Sequence, residues 1–175
     1  MPKNATTPIS AEPMAAGKKA PVFRLKDQQG VGHALKDYAG RPLILFFYPK
    51  DDTSGCTREA CDFRDQLAPL RAMDVAVLGV SILDQRSKAK FAKKHGLDFP
   101  LLADDHLDEQ GKPDPIVAKK YGVWVEKSMY GRTYMGIERT TFLIDGHGRV
   151  ARVWSKVSVP GHVEEVVLAA KALAV

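Results

Sequence analysis

Two side chains in this sequence carry a thiol, Cys56 and Cys61, and they stand five residues apart with no other cysteine in the chain. Two cysteines are too few for a disulfide scaffold. Their confinement to one short segment points to chemistry, against the simpler alternative of two small apolar residues filling a core. A thiol reacts as its thiolate, so the surroundings of Cys56 decide what it can do. Lys50 to Gly55 supplies Asp51, Asp52, Thr53, Ser54 and Gly55, a cluster of turn and N-cap types, and a helical period begins at Cys56. Cys56, Ala60, Phe63, Leu67 and Leu70 share one face of that helix. The unpaired N–H groups of a first helical turn carry partial positive charge, which favours a thiolate. Arg58 and Arg64 add to the effect, and Asp51 and Asp52 oppose it.

The element that must deliver this turn is the unbroken apolar run Leu43 to Tyr48, which reads as a fully buried strand closed by Pro49. A second apolar run, Val75 to Ser81, completes a strand, helix, strand unit and hence the start of a parallel sheet. Upstream, Val22 to Val31 resembles a short edge hairpin, and Leu35 to Gly40 is a connector. Downstream, Gln85 to His95 is a helix on a lysine-rich surface, with Phe91 and Ala92 facing in and Gly96 as its stop. Phe99 to Ala103 is a short strand with Pro100 at its beginning. Asp114 and Pro115 look like the N-cap and first position of a short helix closed by Gly122. Glu126 to Gly136 suits either a surface hairpin or a mobile loop. Thr140 to Ile144, the turn Asp145 to Gly148, and Arg149 to Trp154 form the clearest hairpin, and Val163, Val166, Val167 and Ala170 stripe a terminal helix. The expected fold class is α/β, a thioredoxin-like arrangement in which helices flank a central mixed β-sheet, with an N-terminal hairpin added.

The chain of 175 residues carries a net charge of +5. That length suits one domain over 20–175, preceded by a poorly ordered tail over 1–19 that holds three prolines and almost no large apolar residue. Its basic residues occur in isolated doublets, so no nucleic-acid partner is expected. No run approaches the ~18 apolar residues of a membrane span, and the N-terminus lacks the apolar core of a secretory signal. The expected location is the cytoplasm. The acidic stretch Asp104 to Asp114 lacks the spacing of a calcium loop, and two thiols do not close a zinc site, so no metal or other cofactor is expected.

The segment Pro49-Lys-Asp-Asp-Thr53-Ser-Gly-Cys56-Thr-Arg-Glu59 resembles the peroxiredoxin active-site signature, P-x-x-x-T-x-x-C, with its glutamate three residues on. Phe47 to Arg64, Leu97 to Ala103, Tyr121 to Trp124 and Glu138 to Asp145 are similar to the peroxiredoxin Q, or bacterioferritin comigratory protein, subfamily. The likeness runs from about Gly17 onward. Ser54 departs from the proline common there, and Asp104 to Asp114 is longer than usual. The resemblance implies a thiol peroxidase acting on hydrogen peroxide and organic hydroperoxides. Cys56 would be the peroxidatic cysteine, Thr53 would hydrogen-bond thiolate and peroxide, Pro49 would shield the thiolate, and Arg139 would hold positive charge near both. Read without the family, Thr53 is an N-cap, Pro49 a strand stop and Arg139 a solvated strand-edge residue. Glu59 is a weaker site candidate, since an acidic residue in a first turn is ordinary helix chemistry.

The resemblance also implies that Cys61 resolves the sulfenic acid formed on Cys56 as an intramolecular disulfide, recycled by thioredoxin or a similar dithiol. Five helical positions separate the two side chains by about 140° and a rise of about 7.5 Å, beyond what a disulfide tolerates. They cannot bond in an intact helix, so resolution predicts unwinding of about Thr53 to Phe63. An intramolecular resolving cysteine needs no partner subunit, which favours a monomer. Two other readings remain open. A thiol–disulfide oxidoreductase would normally space its cysteines as C-x-x-C. A metal-binding or holdase module would recruit some of His33, His95, His106, His147 and His162, none of which is near the cysteines in sequence.

Overall fold

In the computed structural model, residues 12–174 are described. The central element is β3 (Leu43–Phe47), every residue of which is buried. It pairs in parallel with β4 (Ala76–Ser81) and antiparallel with β8 (Thr140–Ile144). With β5 (Leu101–Ala103) and β9 (Val150–Trp154) these make a five-stranded mixed sheet in the order β5-β4-β3-β8-β9. A central strand covered on both faces needs apolar side chains at every position, which is why the run does not alternate. Leu43, Leu45 and Phe47 enter one layer with Tyr121 and Phe142. Ile44, Phe46 and Tyr48 enter the other, with Cys56, Phe63, Phe91 and Val166. Beside Phe46 only a glycine fits, because a Cβ on Gly79 would stand 2.8 Å from the Phe46 ring.

The second layer is made by α1 (Ser54–Asp65), α2 (Leu67–Ala72), α3 (Gln85–His95) and α5 (His162–Leu173). The continuous face from Cys56 to Leu70 is buried as expected. It is divided between α1 and α2 at Gln66, because Pro69 lacks an N–H and its ring collides with the carbonyl four residues back. Helix α3 matches its expected ends: the Asp84 carboxylate accepts from Ser87 N–H at 2.9 Å, and Gly96 takes φ of 61°.

Elsewhere β1 (Arg24–Lys26) and β2 (Gly32–Ala34) form the edge hairpin, and β6 (Trp124–Met129) with β7 (Arg132–Ile137) resolves Glu126 to Gly136 as a hairpin, not a loop. Three expectations are corrected. The first 11 residues of the expected tail lie outside the described residues, but residues 12–19 lie against the fold. Met14 N–H bonds Tyr121 O at 3.1 Å and Gly17 N–H bonds Val150 O at 2.7 Å. Helix α4 (Ile116–Lys120) is capped by Asp104, not Asp114. The Asp104 carboxylate accepts from the N–H groups of Ile116, Val117 and Ala118 at 3.0, 3.2 and 2.8 Å, so a residue assigned to a solvated loop is buried. Finally, Lys88 belongs to the interior and not to a lysine-rich surface. Among the described residues, no helix is long and apolar enough to cross a membrane.

Candidate active site

Central strand β3 ends at Phe47, Pro49 follows half-buried, and the turn 50–53 swings the chain into α1 with Cys56 as its third residue. Cys56 is 1% exposed and unbonded. Above it lies Arg139, in the two-residue gap between β7 and β8, where its carbonyl accepts from Val157 N–H at 3.0 Å. Its guanidinium forks over α1. Nη2 lies 3.3 Å from Cys56 Sγ, and Nη1 donates to Glu59 Oε1 at 2.9 Å. The planar fork suits this double contact, and the charge is permanent. Gly55 leaves room for it, since a Cβ there would stand 3.2 Å from Nη2.

Glu59 is fully buried. Burial pushes its carboxyl up to about 7, with Arg139 opposing. Its second oxygen, Oε2, has no hydrogen-bond partner. The ionisable neighbour on that side is His162, the first residue of α5, with Nε2 at 3.6 Å. That ring is held by Thr141, whose Oγ1 lies 2.8 Å from Nε2. Burial holds the imidazole down to about 4, so it is neutral near pH 7. Glu59 therefore belongs to the site by placement, not as a helix-dipole residue.

Thr53 occupies the N-cap position of α1 by its backbone, but its hydroxyl donates to Lys50 O at 3.0 Å and does not cap the helix. Pro49 and Thr53 thus frame the turn, while Arg139 is the candidate drawn onto Sγ. Cys61 is half-buried on the same intact helix, and burial pushes its thiol up. The five-residue spacing is preserved as helix, so the two sulfurs stand apart.

The turn holds groups whose importance the residue types did not reveal. Asp51 is buried and receives Tyr48 OH at 2.5 Å, Ser87 Oγ at 2.7 Å and the Lys88 ammonium at 3.3 Å to both oxygens. Lys88 also donates to Ser81 Oγ at 2.6 Å, and burial pushes its ammonium down against the attraction of Asp51. Asp52, at φ of 60°, accepts from Lys94 Nζ at 2.8 Å and lies 3.0 Å from His95 Nε2. The two aspartates expected to oppose a thiolate are each matched by cations of α3. A signal was present: Lys88, Phe91 and His95 share the helical spacing of the inward stripe. On the other flank, the half-buried Lys127 of β6 is acted on by Glu138, Arg139 and Cys56. Among the described residues, no group of three His, Cys, Asp or Glu is placed to hold a metal.

The profile of the AhpC/TSA family matches residues 16–153. The putative peroxiredoxin bcp of Coxiella burnetii is 48% identical over 151 residues, covering 86% of this chain and 95% of that protein. Peroxiredoxin Bcp of Bacillus subtilis is 46% identical over 149 residues, covering 85% and 90%. The solved structure of the Xanthomonas campestris bacterioferritin comigratory protein, studied for its alkyl peroxide reduction activity, superposes with a TM-score of 0.79. It is 37% identical, with coverage of 87% of this chain and 92% of that one.

Proposed function

The chain belongs to the AhpC/TSA family as a peroxiredoxin of the Bcp, or peroxiredoxin Q, kind and is a thiol peroxidase, and on that premise we propose that Cys56 is its peroxidatic cysteine and Cys61 its resolving one. The observation that carries this reading is the Arg139 guanidinium 3.3 Å from a thiol buried in the first turn of α1. A permanent cation and a helix N-terminus face the sulfur that carries charge in the attack. The same donors stand where charge develops on the departing oxygen.

The thiolate sulfur attacks one peroxide oxygen. An S–O bond forms, the O–O bond breaks, and water or an alcohol departs, leaving a sulfenic acid. Thr53 and Pro49 shape the approach from the turn. After α1 unwinds at its start, the Cys61 thiol attacks the Cys56 sulfur, water leaves, and a disulfide forms. Thioredoxin or a similar dithiol reduces it by thiol–disulfide exchange. Hydrogen peroxide and organic hydroperoxides are the substrates, and the enzyme is a cytoplasmic monomer. The alkyl peroxide reduction of the Xanthomonas relative supports the organic substrates.

The test is peroxide turnover with thioredoxin and its reductase, comparing wild type with Cys56→Ser and Cys61→Ser. Cys56→Ser abolishes turnover. Cys61→Ser forms a trappable sulfenic acid on Cys56 but no bridge. Full activity in Cys56→Ser would overturn the mechanism, and a peroxide-treated wild type without a Cys56–Cys61 bridge would overturn the resolving role.

A further inference from the structure

Arg139 serves two acids at once. Its fork touches Cys56 Sγ at 3.3 Å and Glu59 Oε1 at 2.9 Å, and both acids are sealed from water, at 1% and 0% exposure. One buried cation cannot balance two buried anions without leaving one of them uncompensated. The arrangement of Glu59 shows which acid gives way. Oε1 takes the Arg139 donor, while Oε2 has no donor at all. An ionised carboxylate would leave that oxygen unsatisfied in the interior. A carboxylic acid with its proton on Oε2 also lacks a partner there, but it buries no charge.

We infer that Glu59 carries a proton while Cys56 is a thiolate and gives that proton up when the thiolate is consumed, so that Arg139 faces one anion throughout the peroxide step. This rests on Cys56 being the reacting thiol. The charge balance is definite. Thiolate, hydroperoxide and one proton give sulfenic acid and alcohol, with sulfur oxidised by two electrons and the peroxide oxygens reduced. The negative charge beside Arg139 disappears in that step. Ionisation of Glu59 restores it, and the proton released matches the one taken up by the departing oxygen.

The groups around Glu59 are consistent with this exchange. On its own helix stand Cys56 and Asp62, and Asp62 repels a carboxylate. From the β7–β8 gap comes Arg139, whose contact favours ionisation once the thiolate has gone. From α5 comes His162, neutral and 3.6 Å from Oε2, with Glu165 acting on the ring in turn. The neutral imidazole brings no charge to offset a carboxylate, and Thr141 fixes its orientation. Lys127 acts on Arg139 and Cys56 from β6 without reaching the carboxyl. Burial already favours the acid form of Glu59, in keeping with the geometry. Glu59 touches Arg139 and not the peroxide, so it balances charge and positions the guanidinium.

The experiment uses Cys61→Ser, which stops at the sulfenic acid, with and without Glu59→Gln. Each protein is oxidised with stoichiometric peroxide in weakly buffered solution with a pH indicator, and infrared difference spectra are recorded. Cys61→Ser is expected to take up close to no proton and to lose the carbonyl band of a buried carboxylic acid on oxidation. The doubly substituted protein is expected to take up about one proton per Cys56 oxidised, with no such band. Equal proton uptake in the two proteins, or no carboxylic acid band in reduced Cys61→Ser, overturns the inference alone. Absence of a trappable sulfenic acid on Cys56 overturns the assignment of that thiol and the inference with it.

Discussion

Replacing Lys88 by methionine isolates the buried network behind the turn. Methionine keeps the length and apolar stem of lysine but removes the ammonium, leaving the Asp51 carboxylate buried with three hydroxyl donors from Tyr48, Ser81 and Ser87. Breaking one side of a buried ion pair costs about 3–5 kcal/mol. The remaining hydroxyls retain part of the solvation of Asp51, which places Lys88→Met near the lower end, at about 3 kcal/mol. At about 2–4 °C per kcal/mol for a chain of this size, the melting temperature falls by roughly 6–12 °C. Urea unfolding followed by circular dichroism measures the loss, with an unchanged m-value showing that the fold persists. Adding Asp51→Asn recovers much of the loss, because the pair itself balances desolvation against attraction. A cost for Lys88→Met below about 1 kcal/mol would refute the reasoning, since that is the range of surface substitutions.

Three further outcomes follow from the site. Arg139→Met removes the donor at Sγ and slows the second-order reaction of Cys56 with peroxide, seen by stopped-flow fluorescence, by about a hundredfold to a thousandfold if it acts as oxyanion donors do. Gly55→Ala is expected to gain up to about 1 kcal/mol of helix stability in urea unfolding. It also slows peroxide reaction, because the new methyl stands 3.2 Å from Arg139 Nη2 and displaces the guanidinium. Glu59, raised to about 7 from 4.5, contributes stability that is full below about pH 4.5 and lost as pH rises through 7. His162, lowered to about 4 from 6.5, contributes stability that is full above 6.5 and lost as pH falls towards 4. The two slopes oppose each other between about pH 4.5 and 6.5, so urea unfolding across that window is expected to show stability rising with pH in Glu59→Gln and falling with pH in His162→Gln.

The elements around the site were legible because each announces itself locally. The apolar run Leu43 to Tyr48, the stop at Gly96 and the turn at Asp145 to Gly148 depend on their own residue types and neighbours. What could not be read were contacts made over long sequence distance. Arg139 meets Cys56 across 83 positions and Lys88 meets Asp51 across 37, and no periodicity encodes either meeting. The resemblance to a family supplied Arg139, while the spacing of Lys88 with Phe91 and His95 marks it as inward-facing without naming Asp51 as its partner. Asp104 was misread for a related reason: its three accepted hydrogen bonds come from residues 12 to 14 positions downstream, beyond the window in which a cap is sought. Glu59 was undervalued because a helix-dipole carboxylate and the partner of a buried arginine look alike in sequence.

Helix α1 is held at its start mainly by tertiary contacts. Thr53 spends its hydroxyl on Lys50 O, no acidic residue stands in the first turn, and the helix ends after 12 residues where Pro69 forbids continuation. Intrinsic helix stability in a segment this short is marginal. Arg139 compensates by gripping two of its residues three positions apart, Cys56 and Glu59. In the proposed cycle the charged end of that grip is Cys56 while it is a thiolate, and oxidation to a neutral sulfenic acid moves it to Glu59. The turn before the helix stays anchored to α3 through Asp51 and Asp52, so the strain of opening falls between Thr53 and Glu59. The group that stabilises the nucleophile thus also closes the helix, and consuming the nucleophile loosens the first turn at the moment when Cys61 must reach it.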